Sequence, residues 1–233
     1  MQSKIRILIV EDEAAIRIGL EDVFVFHGYA VDSAAEGPEG LNKALSGNFD
    51  LILLDIMLPG MDGFEICNRI RSEDPDQPII MLTAKTGDED IIQGLTLGAD
   101  DYVAKPFSVA QLVLRVQAVL RRSRIGVEMD NHLRLGDKVE LDIRNLSGRR
   151  GKQTFSFTRR EMEILQYLGT NQERPVSREE LLTKVWGYAK DLHLETRTVD
   201  IHIAKLRRKI ETNPAEPQFL VTVRGAGYRL LME

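Results

Sequence analysis

The chain predicts a doubly wound α/β unit, a five-stranded parallel sheet with helices on both faces, followed by a winged helix-turn-helix domain. Three observations carry this expectation. Short aliphatic runs alternate with helical patterns five times within residues 1–122. The alternation then stops, and the rest of the chain shows short strands, three helices and a glycine-bearing hairpin. The charge changes sign at the same place. Residues 1–122 carry 11 Lys/Arg against 20 Asp/Glu, a net −9, whereas the remainder is +4 and the whole chain −5. An acidic half joined to a basic half suggests two tasks, the second on a polyanion.

The first half reads in order. Ile5 to Val10 is a strand. Ala14 to Phe26 is a helix with Ile16, Leu20, Val23 and Phe24 on one stripe and Gly28 as its stop. Tyr29 to Ala34 is a strand and Pro38 to Leu45 a helix. Leu51 to Leu54 is a strand, four aliphatics bounded by turn signals and so buried on both faces. Phe64 to Arg71 is a helix, Ile79 to Leu82 a strand, Glu89 to Leu97 a helix, Tyr102 to Ala104 a strand, and Ser108 to Arg122 the last helix, opened by a Ser108–Gln111 capping box.

Four of these strands end on polar residues: Glu11-Asp12-Glu13, Asp55, Thr83 and Lys105. In a parallel sheet those ends share one edge, so Glu11, Asp12, Asp55, Thr83 and Lys105 should converge there. Capping alone accounts for one carboxylate at a strand end, but not for a Lys before a Pro or a Thr at the same edge. Three carboxylates together repel one another unless a cation sits among them, and hard oxygen ligands of this kind suit Mg²⁺. An Asp nucleophile, a metal, a Lys and a hydroxyl are the equipment for holding a phosphoryl group on a carboxylate oxygen.

Ser123 to Asn131 has no period and reads as a linker between a 1–122 domain and a 132–233 domain. Strands are expected at Leu133–Leu135, Val139–Ile143 and Thr154–Phe157. Capping boxes at Thr158–Glu161 and Ser177–Glu180 open two helices. A third helix runs from Thr196 to about Glu211, with Val199, Ile203, Leu206 and Ile210 as its core stripe. Its other side shows Arg197, Thr198, His202, Lys205, Arg208 and Lys209, a face suited to base edges in the major groove of DNA. A hairpin from Phe219 to Leu231 carries Arg224 at its tip, within reach of the minor groove. Trp186 or Arg207 would pack on the sugar-phosphate backbone.

Composition excludes several classes. The chain is 43% hydrophobic and 29% charged, which disfavours disorder. No apolar run approaches the ~18–20 residues of a membrane span. One cysteine, Cys67, rules out an internal disulfide, and there is no secretory leader pattern; together these point to the cytoplasm. No phosphate-binding loop and no metal-ligand histidine spacing occur.

The acidic triplet, LLDIMLPGMDG around Asp55, MLTAK at Thr83 and GADDYVAKPF through Lys105 resemble the flavodoxin-like receiver domain of two-component response regulators. RTVDIHIAKLRRKI with VRGAGYRL resembles the effector domain of the OmpR/PhoB subfamily. The resemblance implies a phosphorylation-activated transcriptional regulator, not an enzyme beyond its own phosphotransfer and dephosphorylation. Asp55 would take a phosphoryl group from a sensor histidine kinase. Glu11, Asp12, Asp55 and the Met57 carbonyl would hold Mg²⁺. Thr83 and Lys105 would hold phosphoryl oxygens, Tyr102 would reorient as the switch, and the Lys105–Pro106 bond would be cis. It also implies a homodimer on activation, paired through Asp100, Asp101, Arg115 and Arg122. It implies direct-repeat promoter DNA, and contact between the Trp186–Glu195 loop and RNA polymerase. Ile91 and Gln111 depart from the charged pair usual at that dimer face. A phosphatase working through an aspartyl intermediate is the rival reading, but it wants a second Asp two residues after Asp55, where Met57 stands. A flavin-binding module of similar fold, and a phosphorylation-independent DNA-binding regulator with a vestigial receiver, are two further rivals.

Overall fold

The computed structural model describes residues 4–83, 98–122, 132–188 and 197–232. The chain divides into two compact units, Met1–Arg124 and Ile125–Glu233. In the first unit, β1 (Arg6–Val10), β2 (Ala30–Ala34), β3 (Leu51–Asp55), β4 (Ile79–Thr83) and β5 (Asp101–Ala104) form one parallel sheet in the order β2-β1-β3-β4-β5. All five residues of β3 and of β4 are buried, as central strands covered on both faces require. The edge strand β2, AVDSA, has the polar residues and the exposure.

Helices α1 (Ala14–Phe26), α2 (Gly37–Ser46), α3 (Gly63–Glu73) and α4 (Val109–Arg122) accompany the sheet. Alternate strand residues point to opposite faces. Ile7, Ile9, Leu51, Leu53, Ile80 and Leu82 therefore share one core with Leu20 and Phe24 of α1 and Leu112 and Val116 of α4. Each fully buried aliphatic contributes roughly 1.5–3 kcal/mol. The Asp62 carboxylate caps α3, accepting from Glu65 N at 2.8 Å. The expected helix at 89–97, with Ile91, and the linker at 123–131 lie outside the described residues.

In the second unit, β6 (His132–Leu135), β7 (Val139–Asp142), β8 (Ser147–Arg150) and β9 (Gln153–Ser156) form an antiparallel meander. Strand β8 was not expected, because SGRR has no apolar pattern. It forms because Gly148 lets the chain lie against large neighbours: a Cβ there would come within 2.5 Å of the Phe155 ring and 2.9 Å of Leu141. Strand β7 stops one residue before the expected Ile143, where the Asp142 carboxylate takes the Asn145 N–H at 3.0 Å and closes a turn.

Helix α5 (Arg159–Thr170) opens on a complete Thr158–Glu161 capping box. Helix α6 (Arg178–Leu181), capped by Ser177, passes into a π-type turn, Leu182–Trp186, that ends at Gly187 in the left-handed region. The single helix expected there is thus two pieces. Helix α7 (Arg197–Ile210) and the hairpin β10 (Leu220–Val223) with β11 (Gly227–Leu230) complete a winged helix. Its core stripe of Val199, Ile203, Leu206 and Ile210 is buried as expected.

Candidate functional site

The carboxyl edge of the first sheet gathers the predicted residues. Parallel register sets Asp55 beside Leu82 and Thr83 beside Ala104, so β3, β4 and β5 end at one level. Glu11 and Asp12 follow β1 directly. Lys105, the next residue after β5, donates to Asp55 Oδ2 at 2.7 Å and to Glu11 Oε1 at 2.8 Å. The other Asp55 oxygen, Oδ1, accepts from Met57 N at 3.1 Å. Glu11, Asp55 and Thr83 are buried, whereas Asp12 is exposed. The Lys105–Pro106 bond is cis.

Local sequence explains the cradle. Gly63 sits against Asp55: a Cβ there would lie 2.1 Å from the Asp55 carbonyl oxygen. Gly63 N also donates to Ile56 O at 2.9 Å, which folds the turn after β3 back on itself. A cavity of about 390 Å³ opens on Asp12, Met57, Pro59 and Asp62.

Charge is unbalanced at this edge. Burial pushes the Glu11 carboxyl up to about 7; the hydrogen bond from Lys105 pulls down and Asp55 pushes up. Burial works against the Lys105 charge, but its bonds to Asp55 and Glu11 prevail and hold its pKa above the ordinary value. Glu11, Asp12 and Asp55 each present an oxygen within 4.8 Å of the others. Glu11 Oε2 is buried with no hydrogen-bond partner. An orphaned buried carboxylate oxygen beside two more carboxylates fits a hard divalent cation, which such an oxygen could ligate without a proton.

One contributor escaped sequence reasoning. The Arg17 guanidinium donates to the carbonyls of Glu11 (2.7 Å) and Asp12 (3.1 Å), fixing the turn that carries both acids. Nothing in the local pattern of α1 distinguishes it from a solvated arginine.

Tyr102 is buried on β5, opposite Met81. The acids expected at a dimer face make contacts inside the unit. Asp100 and Asp101 are buried, and their charges are engaged inside the unit. Asp100 Oδ2 takes Arg71 (3.0 Å) and the Ile79 N–H (2.9 Å), while Asp101 Oδ2 takes Arg115 at 2.6 Å. Gln111 is exposed; the side chain of Arg122 lies outside the described residues.

The second unit revises the predicted DNA face. Thr198 and His202 are buried. His202 Nδ1 bonds Thr198 O at 2.8 Å, and its ring meets Trp186 edge-on at 5.2 Å. Trp186 is fully buried, so it packs in the core rather than on a nucleic-acid backbone. Lys205 (3.1 Å) and Lys209 (2.6 Å) both turn onto the buried carboxylate of Glu161. Arg207 donates to Leu220 O (2.8 Å) and Thr222 Oγ1 (2.7 Å) of β10. Arg208 and Arg224 are exposed. The Arg197 side chain and most of the Trp186–Glu195 loop lie outside the described residues.

Two family models match parts of this chain. Residues 7–117 match the response regulator receiver domain, and residues 152–230 the C-terminal domain of transcriptional regulatory proteins. The response regulator ArlR of Staphylococcus haemolyticus is 44% identical over 222 residues, covering 95% of this chain and 97% of that one. The alkaline phosphatase synthesis transcriptional regulatory protein PhoP of Bacillus subtilis is 42% identical, covering 97% and 96%. Among solved structures, a mutant of RitR matches with a TM-score of 0.72 at 29% identity, over 98% of this chain and 100% of that one. DrrB, a Thermotoga maritima OmpR/PhoB homolog, matches at 0.53 and 30% identity, with the same coverage of each chain.

Proposed function

This chain belongs to the two-component response regulators of the OmpR/PhoB subfamily, transcriptional regulators with a receiver and a winged-helix DNA-binding domain, and on that premise we propose that Asp55 is the residue on which its signal is written. The observation that carries the reading is the Asp55 carboxylate at the end of β3, held between Met57 N and the Lys105 ammonium beside the buried Glu11. In the transfer, a phosphohistidine N–P bond of a sensor kinase breaks and an Asp55 O–P bond forms. Lys105 and the Thr83 hydroxyl take the phosphoryl oxygens, so their charge is met by groups already in place. Glu11, Asp12, Asp55 and the Met57 carbonyl would hold Mg²⁺, which supplies neutralisation of the phosphoryl oxygens. Water later cleaves the same O–P bond, so the chain turns over nothing but its own phosphate.

Phosphorylation then shifts a two-state equilibrium that Thr83 and Tyr102 read. A homodimer brings two winged helices to direct-repeat promoter DNA, where avidity raises occupancy. Arg208, Arg224 and Arg197 are the contacts we assign to DNA, and the Trp186–Glu195 loop the contact with RNA polymerase. Asp100 and Asp101 contribute to the dimer by holding Arg71 and Arg115 in place.

Acetyl phosphate with Mg²⁺ tests the core of this reading. The wild-type chain should gain the mass of one phosphoryl group and Asp55→Ala none. Equal labelling of the two would overturn it.

A further inference from the structure

A two-stranded hairpin of four residues a side is marginal on its own, yet here the hairpin is tied to α7 at both of its strands. Asp200 Oδ1, near the start of α7, accepts from the Tyr228 hydroxyl of β11 at 2.5 Å and from Arg178 Nε at 2.6 Å. Arg178 also donates to the Tyr228 oxygen at 2.9 Å, with its guanidinium 4.8 Å from the ring centre. Seven residues later, two turns along the same helix face, Arg207 grips Leu220 O and Thr222 Oγ1 of β10. Behind the hairpin, Val176 and Tyr228 exchange both backbone hydrogen bonds, at 2.8 and 2.9 Å. Gly227 makes that approach possible, since a Cβ there would lie 2.0 Å from Val176 O.

We propose that Asp200, Tyr228 and Arg207 are positioning residues that clamp the wing to α7, so that Arg224 and Arg208 meet DNA as one rigid surface. This rests on the assignment of Arg224 as a DNA contact. The clamp removes conformational freedom from the wing before binding, which lowers the ordering cost that binding would otherwise carry. It also gives Arg207, a basic side chain on the helix, a role other than holding a phosphate.

A double-mutant cycle tests it, using the full chain and a duplex selected from a random pool by the wild-type protein. Tyr228→Phe keeps the ring and its packing but removes the hydroxyl; Asp200→Asn removes the charge at constant size. In the wild-type background each should weaken binding about tenfold. In the Arg224→Ala background each should weaken it little, because the wing tip no longer touches DNA. Melting followed by Trp186 fluorescence shows that the variants are folded. Fully additive losses, or no loss in folded Tyr228→Phe and Asp200→Asn, would overturn the clamp alone. An Arg224→Ala chain that binds like wild type would overturn the DNA assignment and the clamp with it.

Discussion

The Lys105 ammonium stands 2.7 Å from Asp55 Oδ2 and so closes the carboxyl edge of the sheet across β4, with Glu11 Oε1 on its other side at 2.8 Å. One cation is shared by two buried carboxylates. Lys105→Met would leave them facing each other and push the Glu11 carboxyl, already at about 7, further up. It would also remove a donor aimed at the phosphoryl oxygens. Labelling of Asp55 by acetyl phosphate should slow by about 100-fold, read as a rate by mass spectrometry. A loss under about threefold would remove Lys105 from the transfer.

Asp12 gives a separate handle on the metal. It is exposed, and with Glu11 and Asp55 it completes a group of oxygens within 4.8 Å. Asp12→Ala should weaken Mg²⁺ binding in calorimetry at least about tenfold. Without metal the same variant should melt no lower than wild type, since a repulsive charge has gone. Unchanged affinity would place the cation elsewhere.

Sequence and structure agree where the signal is regular and part where it depends on distant partners. The aliphatic runs of β1, β3 and β4 were legible because central parallel strands tolerate nothing else, and the polar residues that end them mark the sheet edge. Strand β8 was illegible because its reason is Gly148 under the rings of its neighbours, not its own pattern. Lys205 and Lys209 lie off the apolar stripe of α7, so the helical period alone points them outward. The partner that turns them inward, Glu161, lies on another helix and doubles as a cap. Asp101 and Arg115 lie 14 residues apart, and no local signal shows that they pair inside one chain.

His202 predicts an acid sensitivity of the second unit. Burial pushes its imidazole down to about 4, the Thr198 carbonyl works the other way, and Lys205 and Arg160 add to the depression while Glu161 opposes it. An unfolded chain takes up that proton near pH 6.5. Between about pH 6.5 and 4 the unfolded state therefore binds more protons than the folded one, and stability falls as pH falls, by at most about 1.4 kcal/mol per unit. Trp186, the single tryptophan, is buried in this unit and reports its unfolding directly. Urea midpoints taken from its fluorescence should drop across this window in wild type and drop less in His202→Gln. Parallel slopes in the two proteins would mean that His202 is protonated in the folded state.

Glu161 tests whether α7 has its lysines inside or out. Its carboxylate is buried, accepts the Thr158 N–H at 2.8 Å as part of the cap of α5, and neutralises Lys205 and Lys209. Burial alone would raise its pKa, but the two ammonium groups overcome this and hold it below the ordinary value. Glu161→Gln leaves two cations on a half-closed surface with no anion, and should destabilise the unit by about 3 kcal/mol. Adding Lys209→Met should restore part of that loss, because the stranded charge goes with it. DNA binding separates the two orientations further. Lys205→Met should leave the salt dependence of binding unchanged, whereas Arg208→Ala should lower the slope of log K against log salt by about 0.9, one phosphate contact. If Lys205→Met lowers the slope by that amount and Glu161→Gln costs under about 1 kcal/mol, Lys205 leaves Glu161 for the DNA, and the inward pairing does not survive in the complex.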